Sequence, residues 1–331
     1  MYELSHYRTI ALSYALMVTL NDIADARRTI HGKVHRTPMM SATALGEMIG
    51  VNLFLKCEQF QKTGSFKPRG ALNKLAHLSS EEKACGLVSA SAGNHAQGLS
   101  YAAREYGVPA TIVMPADAPQ AKIDAVRGYG GTIVFAESVN TMFDRMLELQ
   151  REFGYTIAHP FDDPYVIAGQ GTLGLEILED VPDLEYVFVP IGGGGLISGI
   201  ASAIKLQKPD VKIIGVESAA GGALYASRQA GHLVRVVCGP TIAGGIICPM
   251  IGENNYPIMQ EYVDDVVLVN DDEIKRAIRL LLQRSKMLVE GAGGAATAAL
   301  LEKKYPLPKN ARVVSLLSGG NVDLTSLKEW L

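Results

Sequence analysis

Four consecutive glycines lie between an apolar segment and a segment with helical character: Gly192, Gly193, Gly194 and Gly195. Because these residues lack Cβ atoms, their backbone N–H groups can approach one anion together, and the following helix adds its positive N-terminal end. A phosphate group suits such a loop. The loop also partly resembles a dinucleotide-binding fingerprint, with Glu217 about 20 residues further on. No G-x-G-x-x-G register fits, however, because Ile197 or Ser198 occupies the third glycine position.

A second chemically distinctive segment, Lys62–Gly70, contains Lys67 directly before Pro68. Pro68 restricts the backbone just before a helix that we expect over residues 70–78, so the Lys67 amine is held in place. A lone lysine is usually a solvated surface residue. A positioned amine together with a loop for one phosphate is, in contrast, what a pyridoxal phosphate (PLP) Schiff base requires. The two segments therefore predict a PLP site.

Two further polar motifs follow predicted strands. In Ser89–His95, backbone N–H groups at the start of a helix could hold a carboxylate, and Asn94 offers its amide to a ring hydroxyl. Ser318 follows the last strand and offers a hydroxyl to a ring nitrogen. Ligands of open α/β sheets bind at the carboxyl ends of strands, where three of these motifs lie. We therefore expect the motifs to converge on one site.

The elements that must position these motifs alternate between strand and helix. This alternation predicts parallel sheets with helices on both faces. Residues 68–160 are expected to form a small inserted domain, and residues 17–67 and 161–331 a large cofactor-binding domain. Both are predicted to be open parallel-sheet α/β domains. Helices are expected over residues 171–178 and 294–301, among others.

Composition argues against several classes of protein. The 331 residues include 31 basic and 34 acidic side chains, giving a formal charge of −3 without a basic cluster. Nucleic-acid binding through phosphates needs clustered Lys and Arg, so no nucleic-acid partner is expected. The uncharged runs are too short or too interrupted by proline and glycine to span a membrane. Residues 1–16 are interpreted as an extension of uncertain origin, with Met17 as a candidate start.

The four cysteines are far apart and form no Cys-x-x-Cys pair: Cys57, Cys85, Cys238 and Cys248. Their spacing fits neither a disulfide framework nor a zinc site, which favours a reduced, cytoplasmic location. A homo-oligomer is expected, and a homodimer in particular, because closed dimers are the commonest assemblies.

Five motifs together resemble the fold-type II PLP enzymes and, within them, the threonine/serine dehydratases and serine racemases. They follow one another in the same order over about residues 17–331: K-T-G-S-F-K-P-R-G, S-A-G-N-H-A-Q-G, V-I-A-G-Q-G-T, G-G-G-G-L and S-G-G-N. The resemblance implies a tryptophan synthase β-like fold. It also implies β-elimination from a 3-hydroxy amino acid, L-threonine or L-serine, to a 2-oxo acid and ammonia.

The resemblance also implies a role for individual residues. Lys67 would bond the cofactor aldehyde, and Phe66 would pack against the cofactor ring. Asn94 would bond the ring hydroxyl, and Ser318 would face the pyridine nitrogen. The implied phosphate-binding residues are Gly192, Gly193, Gly194, Gly195 and Leu196. The implied substrate-binding residues are Ser91, Ala92, Gly93, Asn94 and His95.

Three departures from the family pattern bear on this function. Racemases of the family carry serine where this chain has Ala92, which cannot move a proton, so dehydration is favoured over racemisation. Gly244 stands where relatives often have aspartate, which leaves open 3-hydroxyaspartate or a bulkier 3-hydroxy amino acid as the substrate. Glu217 matches an acid of a divalent-metal site in some relatives, but Ala223 replaces that site's aspartate. Mg²⁺ near Glu217 is therefore kept as an alternative, because hard cations need several oxygen ligands.

Overall fold

The computed structural model describes residues 18–139 and 141–331, so the expectations for residues 1–16 and Met17 lie outside the described residues. Its strands are β1 (Met39–Ser41), β2 (Asn52–Cys57), β3 (Leu87–Ala90), β4 (Ala110–Pro115), β5 (Thr132–Ala136), β6 (Thr156–Ile157), β7 (Tyr186–Pro190), β8 (Lys212–Ser218), β9 (Asp265–Val269) and β10 (Arg312–Leu317).

The α-helices are α1 (Leu20–Ile30), α2 (Thr43–Ile49), α3 (Lys67–Ala76), α4 (Ser80–Cys85), α5 (Asn94–Tyr106), α6 (Gln120–Gly128), α7 (Met142–Phe153), α8 (Pro164–Asp180), α9 (Gly195–Lys205), α10 (Ala223–Ala230), α11 (Asn255–Tyr262), α12 (Asp271–Leu280), α13 (Gly291–Leu301) and α14 (Leu324–Trp330). Short 3₁₀ turns occur at Glu58–Phe60 and Gly244–Ile246, and a π-turn at Leu281–Ser285. Among the described residues, no helix is both long and apolar enough to cross a bilayer.

The strands form two sheets, which confirms the predicted α/β class. The larger sheet has the order β1-β2-β10-β7-β8-β9, and the smaller has the order β5-β4-β3-β6. All strand pairings are parallel except that of β1 with β2, which is antiparallel and lies at one edge of the larger sheet. The strands of the smaller sheet all lie between residues 87 and 157, whereas the larger sheet uses residues before and after them. The domain boundaries given above stay a prediction.

Both faces of the larger sheet are covered, because side chains alternate along each strand. In β10, Val313 and Leu317 belong to an apolar core that includes α13, whereas Val314 and Leu316 belong to a core on the other face that includes α9. These four side chains are fully buried. Burying each such side chain contributes roughly 1.5–3 kcal/mol. This packing fixes the strand ends from which the polar loops emerge.

Three helices begin earlier than the sequence predicts. Helix α3 begins at Lys67 itself, with Pro68 in its first turn, rather than after the lysine. Helix α8 begins at Pro164 rather than at residue 171, because the Asp163 carboxylate accepts hydrogen bonds from two N–H groups of its first turn. Helix α13 begins at Gly291 rather than at residue 294. The missed first turns contain proline, as at Pro68 and Pro164, or glycine, as at Gly291 and Gly293. Both residue types have low helix propensity, so these segments resemble loops until tertiary packing stabilises them.

Candidate active site

A cavity of about 740 Å³ opens where the carboxyl ends of β3, β7 and β10 meet. Every residue predicted to bind cofactor or substrate lines this cavity: Phe66, Lys67, Ser91, Ala92, Gly93, Asn94, His95, Gly192, Gly193, Gly194, Gly195, Leu196 and Ser318. Glu217, the predicted metal ligand, does not line it. Segments far apart in the sequence therefore converge as the sheet topology predicts. The binding roles of these residues stay predictions.

Lys67 supplies a primary amine to this cavity. Its Nζ atom donates a hydrogen bond to the Pro160 carbonyl at 3.0 Å and lies 5.1 Å from the centre of the Phe66 ring. Burial lowers the pKa of the Lys67 amine to about 8, although the nearby Cys248 and Glu290 oppose the shift. An amine with this pKa is partly neutral near physiological pH. Lys67 can therefore act both as a nucleophile and as a base.

Asn94 is held by polar groups from two other segments. Its Nδ2 atom donates to Glu290 Oε1 at 2.5 Å, and its Oδ1 atom accepts from Asn321 Nδ2 at 2.8 Å. Asn321 Nδ2 also lies 2.7 Å from the Thr63 carbonyl. Burial raises the pKa of Glu290 to about 7, and the hydrogen bond from Asn94 opposes the shift. The amide of Asn94 is thus fixed in orientation, as recognition of a ring hydroxyl would require.

The glycine loop passes so close to neighbouring groups that side chains would not fit. A Cβ atom added at Gly193 would lie 2.3 Å from the Phe161 ring, and one at Gly195 would lie 2.7 Å from the Phe161 carbonyl oxygen. Gly194 has a φ of +106°, which residues with side chains rarely adopt. Because α9 begins at Gly195, its first N–H groups have no acceptor within the helix. The loop therefore has the form of a cradle for one anion, and a phosphate fits it.

The segment Ser91–His95 leads from β3 into the first turn of α5, which begins at Asn94. Its Ala92 side chain offers only a methyl group to the cavity. His95 is buried and its Nε2–H donates to the Ala158 carbonyl at 3.3 Å. Burial, followed by the charge of Lys67, lowers the pKa of His95 to about 3, so the imidazole is neutral. This end of the cavity combines a helix N-terminus with small side chains, and a carboxylate fits there.

Ser318 occupies the end of β10 and is only 3% exposed. Its backbone carbonyl accepts from the Phe66 N–H at 3.2 Å, so the strand end is tied to the segment that carries Lys67. Its hydroxyl lies 3.5 Å from the Ala292 carbonyl, at the outer limit of a hydrogen bond. The hydroxyl is therefore only weakly engaged within the protein and can serve a partner in the cavity.

Glu217 lies outside the cavity and interacts with α10. Its two carboxylate oxygens accept from the N–H groups of Leu224 at 2.9 Å and Tyr225 at 2.8 Å. Burial raises the pKa of Glu217, and these backbone hydrogen bonds oppose the shift. Within residues 18–139 and 141–331, no group of three or more His, Cys, Asp or Glu side chains could hold a metal ion. The Mg²⁺ alternative stays a prediction.

Some cavity residues have no assigned role from the sequence. Pro160 and Phe161 belong to the His159–Pro164 segment, which none of the motifs described above includes, yet both contact predicted site residues. Gln170 and Cys248 also line the cavity. Local sequence spacing does not indicate that Pro160, Gln170 and Cys248 share a cavity with Lys67, because each lies about 90 or more residues from Lys67 in the sequence. The V-I-A-G-Q-G-T motif was the one signal that pointed to Gln170.

A two-sheet α/β fold with a buried lysine and an anion cradle at the strand ends defines a class: PLP-dependent enzymes of fold type II. Consistently, residues 30–319 match the family described as pyridoxal-phosphate dependent enzyme, and the chain belongs to this family. The resemblance noted from the motifs is thereby confirmed.

Two relatives and one solved structure are similar to nearly the whole chain. An L-threonine ammonia-lyase of Thermotoga maritima is 47% identical over 312 residues, which cover 94% of this chain and 77% of the relative. The catabolic L-threonine dehydratase TdcB of Staphylococcus aureus is 45% identical over 321 residues, covering 96% of this chain and 93% of the relative. The solved structure of maize serine racemase superposes with a TM-score of 0.90 at 38% identity, covering 94% of this chain and 96% of that one.

Proposed function

We propose that this chain is a PLP-dependent ammonia-lyase that eliminates water from L-threonine or L-serine. Hydrolysis of the resulting enamine then releases ammonia and gives a 2-oxo acid. The observation that carries the proposal is that Lys67 and the glycine cradle line one cavity, in a chain 47% and 45% identical to relatives named for action on L-threonine. When bound, PLP supplies an aldehyde that condenses with amines and a ring that stabilises negative charge at the substrate Cα.

The residues of the chain would divide the work of binding and proton transfer. Lys67, with a pKa of about 8, would release the aldehyde to the substrate amine and take the Cα proton. The glycine cradle would hold the phosphate, and the N–H groups of Ser91–His95 would orient the substrate carboxylate. Ser318 would offer the pyridine nitrogen a neutral hydroxyl. A hydroxyl does not impose a positive ring charge as a carboxylate would, so stabilisation of the Cα charge stays moderate, which suits elimination over transamination.

Racemisation of serine is the second candidate, because maize serine racemase has a closely similar structure. It requires a proton donor on the face of the substrate opposite Lys67. Ala92 offers no transferable proton on that side, which favours elimination. Dehydration of 3-hydroxyaspartate or of a bulkier 3-hydroxy amino acid stays a prediction that follows from Gly244.

The decisive experiment incubates the PLP-loaded protein with L- and D-forms of several 3-hydroxy amino acids. Release of 2-oxo acid and the enantiomer composition of the remaining amino acid are followed together. We expect oxo acid from L-threonine or L-serine, and loss of that activity in Lys67→Ala. A change of enantiomer ratio without oxo acid would establish racemisation instead. Turnover restricted to an acidic or bulky substrate would refute the choice of threonine and serine.

Three accompanying properties are proposals of the same kind. We propose a cytoplasmic location, which is supported by four cysteines that are all free thiols. We also propose a homodimer, because closed dimers are the commonest assemblies. Light scattering of the purified protein tests the dimer. For Glu217 we propose a capping role, since both its oxygens already accept hydrogen bonds. An increase in melting temperature with added Mg²⁺ that disappears in Glu217→Gln would favour the cation instead.

A further inference from the structure

The segment His159–Asp163 passes between the two ends of the proposed cofactor site. At one end, the Pro160 carbonyl accepts the hydrogen bond of Lys67 Nζ. At the other, the Phe161 ring and carbonyl fill the space next to Gly193 and Gly195. A displacement of this one segment would therefore move both the amine's hydrogen-bond partner and the wall behind the glycine cradle.

Asp162 fastens this segment to the turn Gly252–Asn255. Its Oδ1 atom accepts from the Asn254 N–H at 2.9 Å and from Asn255 Nδ2 at 3.1 Å. Its Oδ2 atom accepts from the Glu253 N–H at 3.0 Å. The Asp162 N–H donates in turn to His159 Nδ1 at 2.8 Å, which closes the segment on itself. One carboxylate thus makes three hydrogen bonds to a turn about 90 residues away.

The same turn touches the glycine cradle directly. The Gly252 N–H donates to the Gly193 carbonyl at 3.0 Å. A Cβ atom at Gly194 would lie 2.9 Å from Asn255 Cβ, so the two residues are packed against each other. Asn255 Nδ2 also donates to the Phe161 carbonyl at 3.1 Å. The cradle is therefore enclosed by Phe161 on one side and by the turn on the other, and Asp162 joins the two.

We propose that Asp162 is a positioning residue for the phosphate cradle: by fixing His159–Asp163 to Gly252–Asn255, it holds the glycine loop in the shape that binds the cofactor's phosphate. This inference rests on the proposed role of the glycine loop. Asp162 itself does not line the cavity, so it acts through Phe161, Gly252 and Asn255. The neighbouring Asp163 has a different task, since it caps α8 and pairs with Lys74.

The test compares the affinity of apo-protein for PLP with its affinity for pyridoxal, which has the same aldehyde and ring but no phosphate. Both dissociation constants are measured by the absorbance change on binding. For Asp162→Ala we expect the ratio of PLP to pyridoxal affinity to fall about tenfold, as loss of charge-assisted hydrogen bonds behind the cradle implies. Asp162→Asn keeps one acceptor oxygen and should lose less, which provides a milder variant if the alanine variant folds poorly.

Gly252→Ala tests the same contact from its other side, because the added Cβ would lie 2.4 Å from Asp162 Oδ1. It should lower the ratio in the same direction. Asp163→Asn is the matched control, since it retains a capping oxygen and leaves the cradle alone; it should keep the wild-type ratio. Circular dichroism confirms that each variant is folded.

An unchanged ratio in folded Asp162→Ala and Gly252→Ala would overturn the proposal. Equal weakening of PLP and pyridoxal binding would overturn it too, because that pattern indicates a general structural role. If the wild-type protein itself shows no preference for PLP, the proposed cradle is refuted and the role of Asp162 with it. That outcome is distinct from the others, because it appears before any variant is examined.

Discussion

The substitution Gly193→Ala tests the glycine cradle at its most crowded point. The added methyl carbon would lie 2.3 Å from carbons of the Phe161 ring. Non-bonded carbons prefer a separation of roughly 3.5–4.0 Å, so the loop and the ring would have to separate by more than about 1 Å. The ring cannot move away easily, because it packs edge-on against His159 at 4.6 Å and the Phe161 carbonyl is held by Asn255. The loop must therefore shift.

The expected magnitude follows from this forced displacement. Overfilling a packed site costs about 1–3 kcal/mol, and each 1.4 kcal/mol corresponds to tenfold in a binding constant. If the strain falls on the PLP-bound shape of the loop, PLP affinity should decrease on the order of 10- to 100-fold. Titration of apo-protein with PLP, followed by absorbance, measures this decrease.

Gly244→Ala is the matched control for Gly193→Ala. Gly244 lines the same cavity, but a Cβ atom added there would meet no heavy atom within 4 Å. We expect its PLP affinity to equal that of the wild-type protein. The reasoning would be refuted if Gly193→Ala bound PLP as tightly as wild type, or if the two alanine variants lost affinity equally.

Two further predictions concern buried charges. Arg69→Met should destabilise the fold by about 3–5 kcal/mol at neutral pH, because it leaves Glu58 and Glu176 without the guanidinium that they contact at 2.9 and 2.7 Å. Burial raises the pKa of Glu58, but Arg69 outweighs this effect, so the net pKa is lowered. The difference in unfolding free energy between wild type and Arg69→Met should therefore shrink as acid protonates the carboxylates. Urea unfolding at neutral and acidic pH measures this difference. Glu290→Gln keeps an acceptor for Asn94 but removes a carboxyl group whose pKa is raised by burial from 4.5 to about 7. As the pH rises across that interval, wild type should therefore lose stability relative to the variant, by up to about 3 kcal/mol. A pH series of melting temperatures with no such divergence would contradict this.

The parts of the fold and site that sequence predicts well are those encoded by contiguous residues. Strand β7, the glycines and α9 follow one another without interruption, so an apolar run, missing side chains and a helical pattern identify the cradle together. Lys67 is recognisable for the same reason, because Pro68 and Gly70 follow it closely. The predicted helix starts are misplaced where proline or glycine lowers the local helix propensity. Glycine within a helix can also have a packing role that the sequence does not reveal. A Cβ atom at Gly199, within α9, would lie 2.3 Å from the Ile167 carbonyl oxygen of α8, so only glycine allows the two helices to pack this closely.

Contacts between distant segments leave no comparable pattern. The hydrogen bond from Lys67 to Pro160 spans 93 residues, and that from Asn254 to Asp162 spans 92. Neither Pro160 nor Asp162 has a residue type or spacing that indicates such a partner. The antiparallel strand β1 is equally difficult to predict from the sequence, because its three residues are too few to show a periodicity. Physical prediction of these features requires the sheet order, which brings the strand ends together.

The choice between elimination and racemisation depends on how many proton-transfer groups the cavity offers. Elimination needs one base at Cα, and Lys67 can supply it, whereas inversion needs a second group on the opposite face. On the Ser91–His95 side, the His95 imidazole has a pKa of about 3 because of burial and of Lys67, and its Nε2–H is engaged with the Ala158 carbonyl. The Ser91 hydroxyl already accepts from the Gly93 N–H at 3.3 Å, and Ala92 has no proton to give. Because the imidazole is engaged and Ala92 is inert, neither of these two side chains can return a proton, and the described residues favour a one-base reaction, in which the proton removed by Lys67 is not replaced from the other face.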